Sequence, residues 1–176
     1  MLRLILLRHA KTERDSPSGE DHDRRLDERG HSDAREIGEW LAAHDAPDQV
    51  LVSSAVRARQ TWDGMSASLA NAANEIVDDL YHAAPAEILS IVHSFAGRKT
   101  KRLMIVAHNP GLHELALALS AGGDKKSLSE LEDNLPTSGV VIIDFDVKEW
   151  DEVAFRRGKL IRFVSPRLLR ETPQRL

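Results

Sequence analysis

The sequence predicts an α/β fold, a three-layer α/β/α sandwich around a mostly parallel sheet of about six strands. Short apolar runs of the kind that form buried strands alternate with segments whose apolar residues recur at helical spacing. This alternation is typical of a parallel sheet with helices on both faces. The last two predicted strands are joined without a strong helix, so we expect one of them to be an antiparallel edge strand. The 176 residues contain no internal repeat or linker, and we expect one domain over residues 1–176.

Six apolar runs predict the strands, and they cover residues 2–7, 49–52, about 76–77, 103–107, 140–145 and 159–164. Helices are predicted between them, after Asp27, over about 55–72, from Pro85 to about Gly97, and over 112–119. The helix that begins at Pro85 is the clearest, because its apolar residues recur at i, i+3, i+4 and i+7: Ile88, Ile91, Val92 and Phe95. The polar segment at about 122–134 is expected to be a mobile insert.

The composition excludes several classes of protein. The formal net charge of −4 disfavours nucleic acid or an anionic membrane as a partner. The chain has no cysteine, so disulfides, thiolate chemistry and Cys-ligated zinc are excluded. No segment approaches the ~20 apolar residues of a membrane span, and the N-terminal apolar run is too short for a signal peptide. We therefore expect a cytoplasmic monomer that binds neither nucleic acid nor membrane.

Polar residues follow three of the predicted strands. The first strand ends in Arg8 and His9, the second is followed by Arg57, and the fourth ends in His108. Ligands of open parallel sheets bind at the carboxyl ends of the strands. We therefore expect two imidazoles and two guanidinium groups to converge on one crevice, although they come from distant parts of the chain.

This set of side chains suits chemistry at phosphorus. Guanidinium groups match phosphate oxygens with planar pairs of donors, and a neutral imidazole is a nucleophile near pH 7. A second imidazole, if protonated, can donate a hydrogen bond to a phosphoryl oxygen. Phosphoryl transfer depends mostly on positioning and charge stabilisation. The predicted reaction is displacement at phosphorus through a phosphohistidine on the protein, followed by attack of water.

Three motifs in this order resemble the histidine phosphatase superfamily, also called the phosphoglycerate mutase-like superfamily. They are LRHA at 7–10, SSAVRARQT at 53–61 and VAHNP at 106–110. The family usually has glycine where this chain has Ala10. Ala10 followed by Lys11 is similar to the short SixA-like branch of phosphohistidine phosphatases. DRRL at 23–26 with Gly30, LYHA at 80–83 and PTSG at 136–139 resemble that branch as well.

The resemblance implies a role for each matching residue. His9 would be the nucleophile, and Arg8, Arg57 and His108 would form the phosphate pocket. Arg24 would add a distal contact to the substrate. The resemblance also implies a phosphatase that needs no metal or other cofactor and whose partner is a protein carrying phosphohistidine.

One departure from the larger family members bears on the substrate. Those enzymes carry a general acid, usually Glu, in the segment after the third strand, where this chain has DDLYH at 78–82 and no glutamate before Glu87. An alkoxide leaving group needs a proton, whereas phosphohistidine expels an imidazole nitrogen, a far better leaving group. The missing acid favours N–P over O–P substrates, although His82 could donate a proton from that slot and contact the substrate.

Several other interpretations stay open at this stage. The protein could be a phosphatase for a small phosphorylated molecule, or a module that binds phosphate without catalysis. Arg59 competes with Arg57 for the pocket. His108, His113 and Glu114 suggest zinc only weakly, because their spacing is not His-Glu-x-x-His. The acidic residues of the polar loop, Asp21 and Asp23, are interpreted as loop charges that could orient Arg24 or His9.

Overall fold

The structure is a computed structural model that describes residues 1–171. Within that range the chain forms seven strands: β1 (Leu2–Arg8), β2 (Gln49–Ser53), β3 (Ala73–Val77), β4 (Arg102–Ala107), β5 (Ser120–Gly123), β6 (Val140–Phe145) and β7 (Gly158–Val164). It also forms six α-helices: α1 (Glu28–His44), α2 (Val56–Ser66), α3 (Pro85–Phe95), α4 (Gly111–Leu119), α5 (Lys125–Asp133) and α6 (Pro166–Glu171). This part of the chain contains no helix that is both long and apolar enough to cross a membrane.

The strands form one mixed sheet in the order β3-β2-β4-β1-β6-β7-β5. Strand β6 runs antiparallel to both of its neighbours, and all the other pairs are parallel. The α/β class and the mostly parallel sheet are therefore confirmed, but the antiparallel strand lies inside the sheet and not at its edge. The reason is a turn at the carboxyl end of β1, where Gly139 O accepts from Arg8 N at 3.1 Å. The chain enters β6 from that end and has to run back along β1.

Two apolar cores lie on the two faces of the sheet. Strand β1 contributes to both, because Leu4 and Leu6 belong to one cluster while Ile5 and Leu7 belong to the other. Helices α1 and α2 cover the second face, and α3, α4 and α5 cover the first. This is the predicted three-layer arrangement, with a central strand that is apolar on both faces.

The segment expected to be a mobile insert is ordered, so that prediction was wrong. It holds β5, which pairs with β7, and α5, whose N-cap Asp124 accepts a hydrogen bond from Ser127 N at 2.8 Å. Leu131 is fully buried against the first core. The polar residues that suggested mobility lie on the solvent face of a short amphipathic helix. A second difference is that α2 ends at Ser66, before the predicted 72.

Two glycines bring loops close to the carboxyl edge of the sheet. A Cβ atom on Gly30 would lie 2.0 Å from the carbonyl oxygen of Lys11, and one on Gly111 would lie 2.0 Å from that of Ala83. Any side chain at these positions would push the loops away. Gly30 and Gly111 therefore allow the loop after β1 and the loop before α3 to close over the strand ends.

Candidate active site

His9 is the first residue after β1, and its backbone is fixed on two sides. His9 N donates to Ala107 O at 3.1 Å, and Ser138 N donates to the carbonyl oxygens of Arg8 and His9 at 3.0 and 3.1 Å. The side chain is buried. The ring is therefore mounted on the centre of the sheet, as the sequence predicted.

The hydrogen bonds of His9 define which ring nitrogen can react. Its Nδ1 lies 2.8 Å from the carbonyl oxygen of Ala10. Because a carbonyl only accepts, Nδ1 carries the hydrogen, and the neutral ring keeps a lone pair on Nε2. Burial lowers the pKa of His9 to about 4, with the charges of Arg57 and Arg8 acting in the same direction and the bond to Ala10 opposing them. His9 is thus a neutral imidazole at pH 7, the form that can attack phosphorus.

Ala10 occupies the position where the family usually has glycine, and the site accommodates its methyl group. Ala10 is fully buried and packs with Leu26 and Ala34. Its N–H donates to Thr61 Oγ1 at 2.9 Å, and that hydroxyl donates to the carbonyl oxygen of Arg57 at 2.7 Å. This chain of bonds ties the loop of the nucleophile to the first turns of α2.

His108 follows β4 and faces His9, with the ring centroids 5.2 Å apart. Its Nε2 lies 2.6 Å from Ser53 Oγ, while its buried Nδ1 has no hydrogen-bond partner within residues 1–171. Burial, and then the nearby His9 and Arg57, lower the pKa of His108 to about 3. The ring is therefore neutral in the free protein, which differs from the protonated second imidazole considered from the sequence. A neutral imidazole still has one N–H to donate.

Arg8 and Arg57 bring two positive charges to the same strand ends. Burial and the charge of Arg57 lower the pKa of Arg8, and Arg8 Nη1 donates to Leu135 O at 3.1 Å. The Nε of each arginine is buried without a hydrogen-bond partner in the described part of the chain. Arg57 is 4% exposed, whereas Arg59 is exposed to solvent. Two buried positive charges whose N–H groups lack partners are suited to bind an anion. Arg57 is therefore a better candidate for the phosphate pocket than Arg59.

Asp21, interpreted from the sequence as a loop charge that could orient Arg24 or His9, lies against Arg57. Its backbone oxygen accepts from Arg57 Nη1 at 2.8 Å, and its Oδ2 accepts from Arg57 Nη2 at 3.0 Å and from the Tyr81 hydroxyl at 2.6 Å. The hydrogen bond from Tyr81 and the charges of Arg57 and Arg24 lower the pKa of Asp21 to about 2. Asp21 is therefore an ionised carboxylate that holds Arg57, a partner that the sequence did not predict for it.

Two further predicted site residues, Arg24 and His82, lie outside the inner pocket. Arg24 Nε donates to Asp21 Oδ1 at 3.1 Å, and a second contact reaches Glu13 O at 3.4 Å. The His82 side chain is 68% exposed, and its Nε2 lies 4.0 Å from Asp21 Oδ2. The structure thus connects Arg24 and His82 to the pocket through Asp21.

Two serines precede α2, and their side chains contact histidines. The N-cap of α2 is Ala55, and its side chain makes no capping hydrogen bond. Ser53 Oγ contacts His108, while Ser54 Oγ lies 3.1 Å from His22 Nε2. The two consecutive serines at the end of a buried strand were the sequence feature that could have indicated these contacts. They lie at the edge of the site and do not cap the helix.

The zinc interpretation gains no support from the geometry. His113 Nε2 donates to Leu131 O at 2.6 Å, so this ring nitrogen is occupied by α5. Across residues 1–171, no three His, Asp or Glu side chains are grouped so that they could hold a metal ion.

Comparisons with known proteins agree with this geometry. Residues 4–83 match the family model of the histidine phosphatase superfamily (branch 1). The uncharacterized Mycobacterium leprae protein ML1117 is 32% identical over 168 residues, with 92% of this chain and 100% of the relative covered.

Two solved structures extend the similarity over nearly the whole fold. A protein from Agrobacterium tumefaciens assigned as phosphohistidine phosphatase SixA is 29% identical, with a TM-score of 0.76 over 94% of this chain and 98% of that chain. A protein from Nakamurella multipartita with the same assignment is 25% identical, with a TM-score of 0.82 over 94% and 96% of the two chains. The chain belongs to the histidine phosphatase superfamily and is a phosphatase.

Proposed function

We propose that the protein hydrolyses phosphohistidine on a partner protein, through a phosphohistidine formed on His9 and without a metal ion. The observation that carries this proposal is that the carboxylate bonded to Arg57, Asp21, holds no proton that it could give to an alkoxide. Asp21 is ionised, and the Tyr81 hydroxyl already donates to it. The similarity to the two proteins assigned as SixA supports the same substrate class.

In this mechanism the phosphoryl group lies between the two arginines and His108. Nε2 of His9 attacks phosphorus as the bond to the leaving nitrogen breaks. Arg8, Arg57 and an N–H of His108 stabilise the charge on the phosphoryl oxygens. Water then attacks the phosphorus, and the product is inorganic phosphate with His9 restored.

Tyr81 and Glu87, which lie in or after the segment where the larger family members carry the acid, are engaged in other contacts. Burial and the neighbouring Asp21 raise the pKa of Tyr81, so its hydroxyl keeps its proton. Glu87 Oε1 accepts from Ala84 N at 3.0 Å and so caps the start of α3. A positioned acid is worth about 10²–10⁴-fold for a leaving group that needs a proton. Phosphohistidine does not depend on that contribution.

The second candidate function is hydrolysis of a small phosphomonoester, with His82 as the acid. The observation in its favour is that the exposed His82 side chain lies at the mouth of the pocket, with its Nε2 4.0 Å from Asp21 Oδ2. A phosphate-binding module without catalysis is disfavoured by the neutral, correctly oriented His9.

A turnover assay on matched substrates separates these functions. We expect kcat/KM for a phosphohistidine peptide or phosphoramidate to exceed that for unactivated alkyl phosphates by at least about 10²-fold, with aryl phosphates between them. His82→Ala should change the phosphoramidate rate little. High phosphomonoesterase activity that His82→Ala removes selectively would instead establish the small-molecule function.

Chelation tests the metal-independent part of the proposal. Two arginines can neutralise the phosphoryl group without help from a cation, so activity should survive EDTA. The control is the same assay with zinc or magnesium added back. Loss of activity that either ion restores would contradict the proposal.

A further inference from the structure

Asp21 places a negative charge at the mouth of a pocket that is otherwise positive. Its side chain is 48% exposed, so it can meet a ligand as well as its protein partners. Arg57 and Tyr81 hold Oδ2, and Arg24 holds Oδ1. The exposed part of this carboxylate would repel a phosphate oxygen, because like charges repel. The carboxylate is better suited to the part of the substrate that is not phosphate.

Four aromatic rings lie at the same mouth, those of Tyr81 and of three histidines. The ring centroid of Tyr81 lies 4.8 Å from that of His22, 3.9 Å from that of His82 and 5.6 Å from that of His108. The His22 and His108 rings meet Tyr81 edge-on, at 84° and 81°, and the His82 ring is tilted by 41°, so these rings frame the mouth beside the Asp21 carboxylate. A planar, aromatic leaving group with an N–H would find aromatic rings to pack against and an acceptor there.

We propose that Asp21 is a specificity-determining residue, which accepts a hydrogen bond from the distal N–H of a protonated imidazole leaving group. Asp21 would thereby favour N–P substrates over phosphate esters. This inference rests on the proposed function, because it names the group by which the same site distinguishes the two substrate classes.

Transfer of the phosphoryl group from a protonated phosphohistidine to His9 needs no added proton. The bond between phosphorus and the ring nitrogen breaks as the bond to His9 Nε2 forms, and its electron pair stays on the departing nitrogen. The other ring nitrogen keeps its hydrogen, so the phosphorylated imidazolium leaves as neutral imidazole. A carboxylate beside the ring favours this protonated form of the substrate. A phenolate or alkoxide would instead develop negative charge close to Asp21, which is unfavourable.

Asp21 also holds Arg57 in place. An experiment therefore has to distinguish this positioning role from the proposed recognition of the leaving group. A misplaced Arg57 would slow every substrate by a similar factor, because each one presents the same phosphoryl group. Recognition of the leaving group would change the ratio between substrates. The ratio is therefore the informative quantity.

The test compares a phosphohistidine peptide with a phosphotyrosine peptide of the same surrounding sequence. In Asp21→Asn the ratio of the two kcat/KM values should fall by about tenfold or more, the lower end of what a hydrogen bond to a charged group contributes. Asp23→Asn is the matched control, since Asp23 lies in the same turn and bonds to Ser18 at 2.6 Å. It should leave the ratio unchanged. Equal losses for both peptides in Asp21→Asn would show that Asp21 only holds Arg57, and would overturn the proposal.

A binding measurement keeps the inference testable if turnover fails. A wild-type protein that does not dephosphorylate the phosphohistidine peptide would refute the proposed function. The affinities of both peptides are then compared in His9→Ala, which cannot accept the phosphoryl group, and in His9→Ala combined with Asp21→Asn. We expect the second substitution to lower the preference for the phosphohistidine peptide by about tenfold or more. An unchanged preference would overturn the role of Asp21 independently of catalysis.

Discussion

Two arginines on strand β1 lie in opposite electrostatic surroundings. At the amino end, Arg3 Nε donates to Asp144 at 2.7 Å, and Arg3 also pairs with Asp45. The hydrogen bond to Asp144, with Asp45 adding to it, raises the pKa of Arg3. At the carboxyl end, Arg8 lies beside the like charge of Arg57, and burial and that charge lower its pKa. The same strand therefore carries one arginine that is neutralised and one that is not.

The difference between Arg3 and Arg8 indicates which end of the sheet binds a ligand. A neutralised arginine stabilises the fold, while an arginine near a second positive charge costs stability unless an anion binds. Of the two ends of β1, the carboxyl end carries this cost, and His9 and His108 also lie there. This contrast between the two ends of β1 is open to direct tests.

The largest expected effect at the carboxyl end is that of His9→Ala. It should abolish turnover, because the neutral Nε2 is the proposed nucleophile, and it should leave the far-ultraviolet circular dichroism spectrum unchanged. His31→Ala, at an exposed position of α1, is the control and should keep full activity. Full activity in His9→Ala would refute the whole scheme.

Arg57→Ala should have the next largest effect. The loss of a preorganised donor to the phosphoryl oxygens costs about 2–4 kcal/mol in the transition state, which corresponds to about 10²–10³-fold in kcat/KM. Arg59→Ala, two residues further along α2 and exposed, should change kcat/KM little. If the two variants exchange these effects, the pocket has been assigned to the wrong arginine.

The pair Arg8→Ala and Arg3→Ala sharpens the comparison most directly. Arg8→Ala should reduce kcat/KM by about 10²-fold while changing the free energy of unfolding by less than about 1 kcal/mol. Arg3→Ala should keep kcat/KM and lower the free energy of unfolding by about 2 kcal/mol, because it leaves Asp45 and Asp144 unpaired and mostly buried. Chemical denaturation and steady-state kinetics on both variants measure this. If the two variants lose similar amounts of kcat/KM and of unfolding free energy, the proposed difference between the two ends of β1 is wrong.

The smallest expected effect is a pH dependence confined to acid. The pKa of His9 is about 4, below the ordinary value for histidine, so His9 stays neutral as the pH falls from 8 to about 5. Below that range protonation removes the nucleophile, and turnover corrected for ionisation of the substrate should fall as the pH passes through about 4. A midpoint near 6.5 would show that burial does not shift His9 in the working enzyme.

The sequence could predict that His9, Arg8 and His108 lie close together, because these residues follow strands. His9, Arg8 and His108 come directly after buried apolar runs, and parallel strands bring their carboxyl ends to one edge of the sheet. The choice between Arg57 and Arg59 needed the structure, since both lie near the start of α2 and only packing decides which one turns inward.

Asp21 and the interior position of β6 could not be predicted in the same way. Asp21 lies in a polar loop without periodicity, and it meets Tyr81 across 60 residues of sequence. The course of β6 depends on the turn at Ser138, whose N–H bonds to the end of β1. Contacts of this kind depend on how loops fold back onto the sheet, and no local pattern records them.

Trapping the phosphorylated intermediate tests the central claim most directly. Wild-type protein turning over a radiolabelled phosphoramidate or phosphohistidine peptide is quenched in base and digested, and the labelled peptide is identified. The mechanism predicts a label that is stable in base and labile in acid, located on His9 and absent from His9→Ala. A label on another residue, or single-turnover hydrolysis with no label on the protein, would contradict the mechanism.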